Sequence, residues 1–158
     1  MATWQEFSDE VPELAARVLE RFEAHRHKTM ATIRPDGGPR ISGSEVPILG
    51  GQIYLGGMTG NRRFEDLRRD PRVAIHSGSD APEVWAGDAK VSGRAVELLT
   101  PQEHEAFRAA AGEVPPGPFE LFRVEIDEAV VVRLSDDRTH LLVDIWRTGR
   151  GVRTVERR

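Results

Sequence analysis

Two predicted strands of hairpin length, Thr29–Arg34 and Pro39–Val46, flank Pro35-Asp36-Gly37-Gly38, and that arrangement narrows the available folds more than any other feature of the chain. Proline presets φ, aspartate bonds to nearby backbone and glycine reaches positive φ, so the four residues suit a tight turn between antiparallel strands. Similar signals recur downstream. Gly50-Gly51 turns the chain into a strand over Gln52–Gly56, and Asp70-Pro71 stops a short helix over Arg62–Asp70 ahead of a strand over Arg72–Ser77. Ala89–Leu98 alternates as a strand, with Gly93 marking a bulge or a close approach. Phe119–Leu134 and Thr139–Arg147 are β-rich runs about Ser135-Asp136-Asp137-Arg138. Some six or seven short strands, mostly linked by hairpin-like turns, predict a mainly β chain: an antiparallel barrel with peripheral helices rather than a parallel βαβ sheet.

Apolar residues at Val11, Leu14, Ala15, Val18, Leu19 and Phe22 form a helical stripe, and Thr3 with Glu6 or Ser8 supplies a cap, predicting one amphipathic helix within residues 1–27. Thr100-Pro101-Gln102-Glu103 combines an N-cap, a first-turn proline and a capping-box glutamate, so a second peripheral helix runs to about Ala111. The barrel then occupies 28–147 and a tail 148–158. The 158 residues fit one domain, and 39% hydrophobic with 30% charged residues is a globular composition. No apolar run approaches the roughly 20 residues that span a bilayer. The first residues lack a basic and apolar signal pattern, so a cytoplasmic location without a membrane partner is expected. With no cysteine there is no disulfide, thiolate metal site or cysteine nucleophile. A formal net charge of −4 argues against nucleic acid as a partner, so any anion site must be local.

One segment has that local chemistry. Gly57-Met58-Thr59-Gly60-Asn61-Arg62-Arg63 places a hydroxyl, an amide and two guanidinium groups at a helix start, where backbone N–H groups lack partners and the dipole favours an anion. Two arginines in a first turn oppose that dipole unless an anion compensates. The competing reading makes Asn61 a plain N-cap and the arginines part of the solvated run Arg62, Arg63, Arg68, Arg69.

The succession Thr29-Met30-Ala31-Thr32-Ile33, Pro35-Asp36-Gly37, Pro39-Arg40-Ile41-Ser42, Ile53-Tyr54-Leu55, Asn61-Arg62-Arg63 and Leu67-Arg68-Arg69-Asp70-Pro71-Arg72-Val73-Ala74 resembles the pyridoxamine 5′-phosphate oxidase-related, FMN-binding split β-barrel superfamily. The resemblance continues through Gly87-Asp88-Ala89-Lys90-Val91-Ser92-Gly93-Arg94-Ala95 and covers residues 27–98 best. It implies a Greek-key split barrel and a homodimer with cofactor at the subunit interface. It implies FMN, or the deazaflavin F420 that many relatives use, in an oxidoreductase acting on a small organic molecule. A non-catalytic flavin or haem carrier is the alternative. By the same resemblance Arg40, Ile41 and Ser42 run along the ring, and Met58, Thr59, Asn61, Arg62 and Arg63 hold the phosphate. Trp85 and Asp88 reach in from the second subunit, with interface or core packing the competing role for Trp85. Pyridoxamine phosphate oxidases proper carry a C-terminal arginine- and histidine-bearing substrate motif, whereas this chain has Trp146-Arg147-Thr148-Gly149-Arg150-Gly151, which argues against a vitamin B6 substrate.

Other candidates are thinner. His25 and His27 are too close in sequence to share a helical face as ligands and read as helix-end residues. His76, closing a strand, either faces the cofactor, where it is the one candidate haem ligand, or packs locally. His104 and Glu103 read as exposed on the capped helix, and His140 opens a strand without an evident partner. Ser42-Gly43-Ser44 is not a nucleophile elbow. Glu125, Asp127 and Glu128 read as a solvated strand face, and Gly56-Gly57 with Gly60 lacks dinucleotide-binding spacing.

Overall fold

The turn residues do what their chemistry dictates. Gly37 (φ 85°) closes the hairpin of β1 (Lys28–Ile33) and β2 (Pro39–Ser44), while Gly50 (φ 54°) and Gly51 (φ 78°) join β3 (Ile48–Leu49) to β4 (Gln52–Met58). The computed structural model describes residues 1–158. After β4 come α3 (Arg62–Arg69), β5 (Arg72–His76), β6 (Asp88–Glu97), α4 (Pro101–Ala111), β7 (Phe119–Leu134), β8 (Leu141–Arg147) and β9 (Gly151–Arg157). The sheet is antiparallel throughout, in the order β2-β1-β5-β6-β7-β4-β3, with β8 and β9 branching from β7. It does not close.

Three expectations need correction. The N-terminal helix is two helices, α1 (Trp4–Glu10) and α2 (Pro12–Glu23), because Pro12 cannot continue a helix hydrogen-bond ladder but suits the first position of a new one. The tail is β9, paired along its whole length with β8. The strands number nine, since the two-residue β3 and the tail strand escaped the pattern. The Thr3–Glu6 and Thr100–Glu103 capping boxes both form.

Strand β7 organises the split. One side pairs with β6 along most of its length; the other pairs first with β4 (Phe119–Val124) and then with β8 (Glu128–Leu134). In the gap between β4 and β8, Ala2 exchanges two backbone hydrogen bonds with Ile126, and the Thr148 hydroxyl donates to the Ile126 carbonyl. Helices α1, α2 and α3 cover the inner face, where Phe7, Phe22, Phe64, Phe122 and Trp146 are almost wholly buried. Each such side chain contributes about 2–3 kcal/mol of hydrophobic stabilisation. Helix α4 covers part of the outer face through Tyr54, Leu98, Phe107 and Leu121. No helix is long and apolar enough to cross a membrane.

The expected irregularity at Gly93 is real: the β6–β7 register shifts between Ser92 and Gly93, and a Cβ at Gly93 would collide with the Glu125 carbonyl oxygen. Gly93→Ala is therefore expected to lower unfolding free energy by about 2–3 kcal/mol in urea titrations. An unchanged midpoint would contradict the close approach of β6 and β7.

Candidate functional site

Helix α3 carries the site, and a carboxylate holds it in place. Asp66 is 1% exposed and faces the sheet beside Phe64 and Leu67. It accepts hydrogen bonds from Thr32 Oγ1 of β1 (2.8 Å), Arg40 Nε of β2 (2.6 Å) and Arg69 Nη2 of its own helix (3.2 Å). Burial alone pushes this carboxyl up, but the donors outweigh it and hold the group below its ordinary value. The helix start therefore lies beside the free edge of β2.

There Arg63 Nη1 donates to the Gly43 carbonyl oxygen at 2.8 Å. Its Nε is buried without a partner, and burial lowers the guanidinium from its ordinary value, though arginine stays charged. Gly57 makes room for it. A Cβ at that position would lie 3.1 Å from Arg63 Nη2 and 3.6 Å from Asn61 Nδ2. Asn61 occupies the N-cap position, yet its side chain donates to the Met58 carbonyl oxygen (3.2 Å) instead of capping the helix.

The charge balance along α3 is lopsided. Arg68 pairs with Glu97 and Glu120, Arg69 with Asp66, and nearby Arg40 with Asp66 and Arg72 with Asp70. Neither Arg62 nor Arg63 has a carboxylate partner, and Arg62 is exposed. Two uncompensated guanidinium groups, an uncapped helix start and an orphaned buried Nε fit a phosphate.

Of the residues singled out in the sequence, Asn61 and Arg63 therefore come together with Gly57 and Gly43. Arg40 and Ser42 point to the inner side of β2, Arg40 onto Asp66, whereas Ile41 is 72% exposed on the outer side. Thr59 is exposed, and Met58 is 79% exposed opposite Phe119. Trp85 and Asp88 stand apart within one chain: Trp85 lines a concavity of about 370 Å³ with Arg133 and Leu134, and Asp88 accepts from Ser79 Oγ. A second concavity, about 510 Å³, lies between α2 and β9 around Arg17, Arg133 and Asp144, and Arg63 lines neither.

The histidines differ from their sequence reading in two cases. His104 is not exposed; it is half-buried, stacks on Phe119 and donates to the Leu98 carbonyl oxygen. His140 has partners, Thr139 Oγ1 at 2.8 Å and Glu156 at 3.5 Å. His25 bonds Asp80 at 2.8 Å, and His27 is exposed. Asp66 and Thr32 were missed, although a carboxylate between Phe64 and Leu67 on an amphipathic helix is the signal that could have found them.

A split antiparallel barrel with a cationic helix start after its fourth strand defines the class of protein. Residues 14–133 match the pyridoxamine 5′-phosphate oxidase family, and the chain belongs to that family. Among solved structures, it resembles a pyridoxamine 5′-phosphate oxidase-related, FMN-binding protein from Nostoc punctiforme at 13% identity, covering 92% of this chain and 95% of that one, with a TM-score of 0.62. ChuZ from Campylobacter jejuni aligns at 14% identity over 91% of this chain and 63% of that one, with a TM-score of 0.68. A haem-binding protein from Mycobacterium smegmatis aligns at 15% identity over 89% and 85%, with a TM-score of 0.58. At such identities the likeness is one of fold. No curated protein matches the chain.

Removing the Asp66 carboxylate strands Arg40 and unpins α3, so Asp66→Ala is expected to cost about 3 kcal/mol in chemical denaturation. Because the folded carboxyl titrates below its ordinary value, its contribution is complete above about pH 4 and lost as pH falls through the folded value. Between pH 4 and 2, wild-type stability should accordingly fall more steeply than that of Asp66→Asn.

Proposed function

We propose that the chain is a flavin-type oxidoreductase that takes FMN, with F420 as the alternative, and passes hydride or electrons to a small organic acceptor. The observation that carries the reading is the charge imbalance of α3: the arginines of its last turn are matched by carboxylates and those of its first turn are not. A bound flavin or deazaflavin supplies the redox chemistry. The chain's part is to bind and orient. Arg62 and Arg63 neutralise the phosphate, Asn61 lends an amide, and the exposed Ile41 offers apolar contact beside Gly43. Pyridoxamine phosphate is not the proposed substrate: in the C-terminal segment Trp146 is buried and Arg147 pairs with Glu128.

The working unit is a homodimer. Val132 and Leu134 of β7 stand opposite Val143 and Leu141 of β8 on the outer face, all partly exposed, with Val130 buried opposite the partly exposed Ile145, and none joins either hydrophobic core. An aliphatic ladder of this kind, adjoining the strands of the cofactor site, suits a second copy of the same face. Trp85 lies beside Leu134 and Asp88 pairs with Val132, so both border that face. A second reading, haem carriage, draws support from the haem-binding relative and from His76, whose Nε2 has no protein partner.

Parallel titrations with FMN and F420, with the spectrum of the co-purifying ligand, test the main reading. Arg62→Ala combined with Arg63→Ala is expected to weaken cofactor binding at least roughly 100-fold while circular dichroism stays unchanged. Unaltered affinity in that double variant would sink the phosphate assignment, and a Soret band in the purified protein would favour haem. Val132→Glu with Ile145→Glu should convert dimer to monomer in light scattering.

A further inference from the structure

We infer that His76 is a cofactor-binding residue that contacts the ring end of the ligand whose phosphate end lies at Arg63; the inference rests on the flavin reading above. His76 closes β5. Its Nδ1 lies 2.6 Å from the Ser77 carbonyl oxygen, which can only accept, so Nδ1 is the donor and in the neutral ring Nε2 keeps a free lone pair. Ser77 is itself immobilised: its backbone N–H donates to the Ala89 carbonyl oxygen and its hydroxyl accepts from the Ala89 N–H. The imidazole is thus fixed in tautomer and orientation by a buried, doubly tied neighbour. Nε2 makes no hydrogen bond or ion pair within the chain.

The strand register says where that lone pair sits. Gly43, whose carbonyl holds Arg63, pairs with Thr29, and Thr29 pairs with His76. Two inter-strand steps of about 4.8 Å each therefore separate the Arg63 anchor from His76 along one row of the sheet. Strand alternation puts all three on the outer face, because Met30 and Ile75, their immediate neighbours, belong to the inner core. Between the two anchors nothing rises above the backbone except the Thr29 side chain, and a Cβ at Gly43 would meet no atom within 4 Å. The groups that flank His76 in this row are Thr29 on β1 and Lys90 on β6, with Asp88 diagonal to it. A ligand with a phosphate at one end and a planar ring system with N–H donors at the other spans this geometry. Arg63 takes the first and His76 Nε2 accepts from the second.

The two ends separate in binding experiments with FMN and riboflavin, which differ only in the phosphate. His76→Ala is expected to weaken both ligands by the same factor, roughly tenfold for one hydrogen bond. Arg63→Ala should weaken FMN alone, and His76→Gln, which retains an acceptor, should recover part of the loss. In the wild-type chain labelled with 15N-histidine, the His76 Nε2 resonance should move on adding riboflavin, a readout that does not depend on any variant folding. An unmoved resonance, or equal riboflavin affinity in wild type and His76→Ala, overturns the role of His76 and leaves the phosphate site standing. FMN binding no tighter than riboflavin in the wild type removes the phosphate site and the inference with it.

Discussion

The buried carboxylate of Asp66 is the contact on which the site's geometry depends. A charge in that position is tolerable only when paired and fully hydrogen-bonded, and its three donors come from three different elements. Thr32, Arg40 and Arg69 triangulate α3 against β1 and β2, so the helix can neither slide nor roll without stranding one of them. Its start is consequently held at the open edge of β2, where Arg63 satisfies a strand carbonyl that has no ladder partner. The pairing also divides the arginines: Arg40 and Arg69 are tied to Asp66, and Arg62 and Arg63 have no carboxylate partner.

The two faces of the sheet follow different logics. Inside, large aromatic and aliphatic side chains from three helices and most strands fill a single core. Outside, the surface is patchy: α4 roofs one end, aliphatic residues of β7 and β8 form the opposite end, and over β1, β2 and β5 the small Thr29, Ala31, Gly43 and Ala74 lie among Ile41, Arg72 and His76. The sheet is finished on one side and unfinished on the other, and the proposed dimer draws on the unfinished side. The same face thus serves both the dimer and the ring-binding reading.

Much of this was visible in the residues. The hairpin glycines, the two capping boxes, the Asp70-Pro71 stop and the β7 run all announce themselves locally, because turn and cap chemistry acts over three or four residues. What escaped is decided at long range. The stripe from Val11 to Phe22 lies wholly in α2 and its N-cap and includes no residue of α1, so apolar periodicity could not report the break between the two helices. Gly151–Arg157 mixes charged residues with valine and threonine without a period-2 pattern and becomes a strand by pairing with the β8 edge. Asp66 hides in the charged run Arg62-Arg63-Phe64-Glu65-Asp66-Leu67-Arg68-Arg69, where burial depends on strands some 26 to 34 residues earlier. His104 looked exposed because its covering ring, Phe119, belongs to the next strand.

The bridge between Ala2 and Ile126 has a consequence for how the chain reaches this state. It joins residues 124 positions apart, and it fills the one place where β7 lacks a partner between β4 and β8. Closing so long a loop costs entropy that no local contact repays, so this patch of ladder is expected to form after β4 and β8 have docked on β7. During synthesis Ala2 must therefore wait until Ile126 and the strands on either side of it have emerged, and the seam of the split barrel is sealed by two segments far apart in sequence.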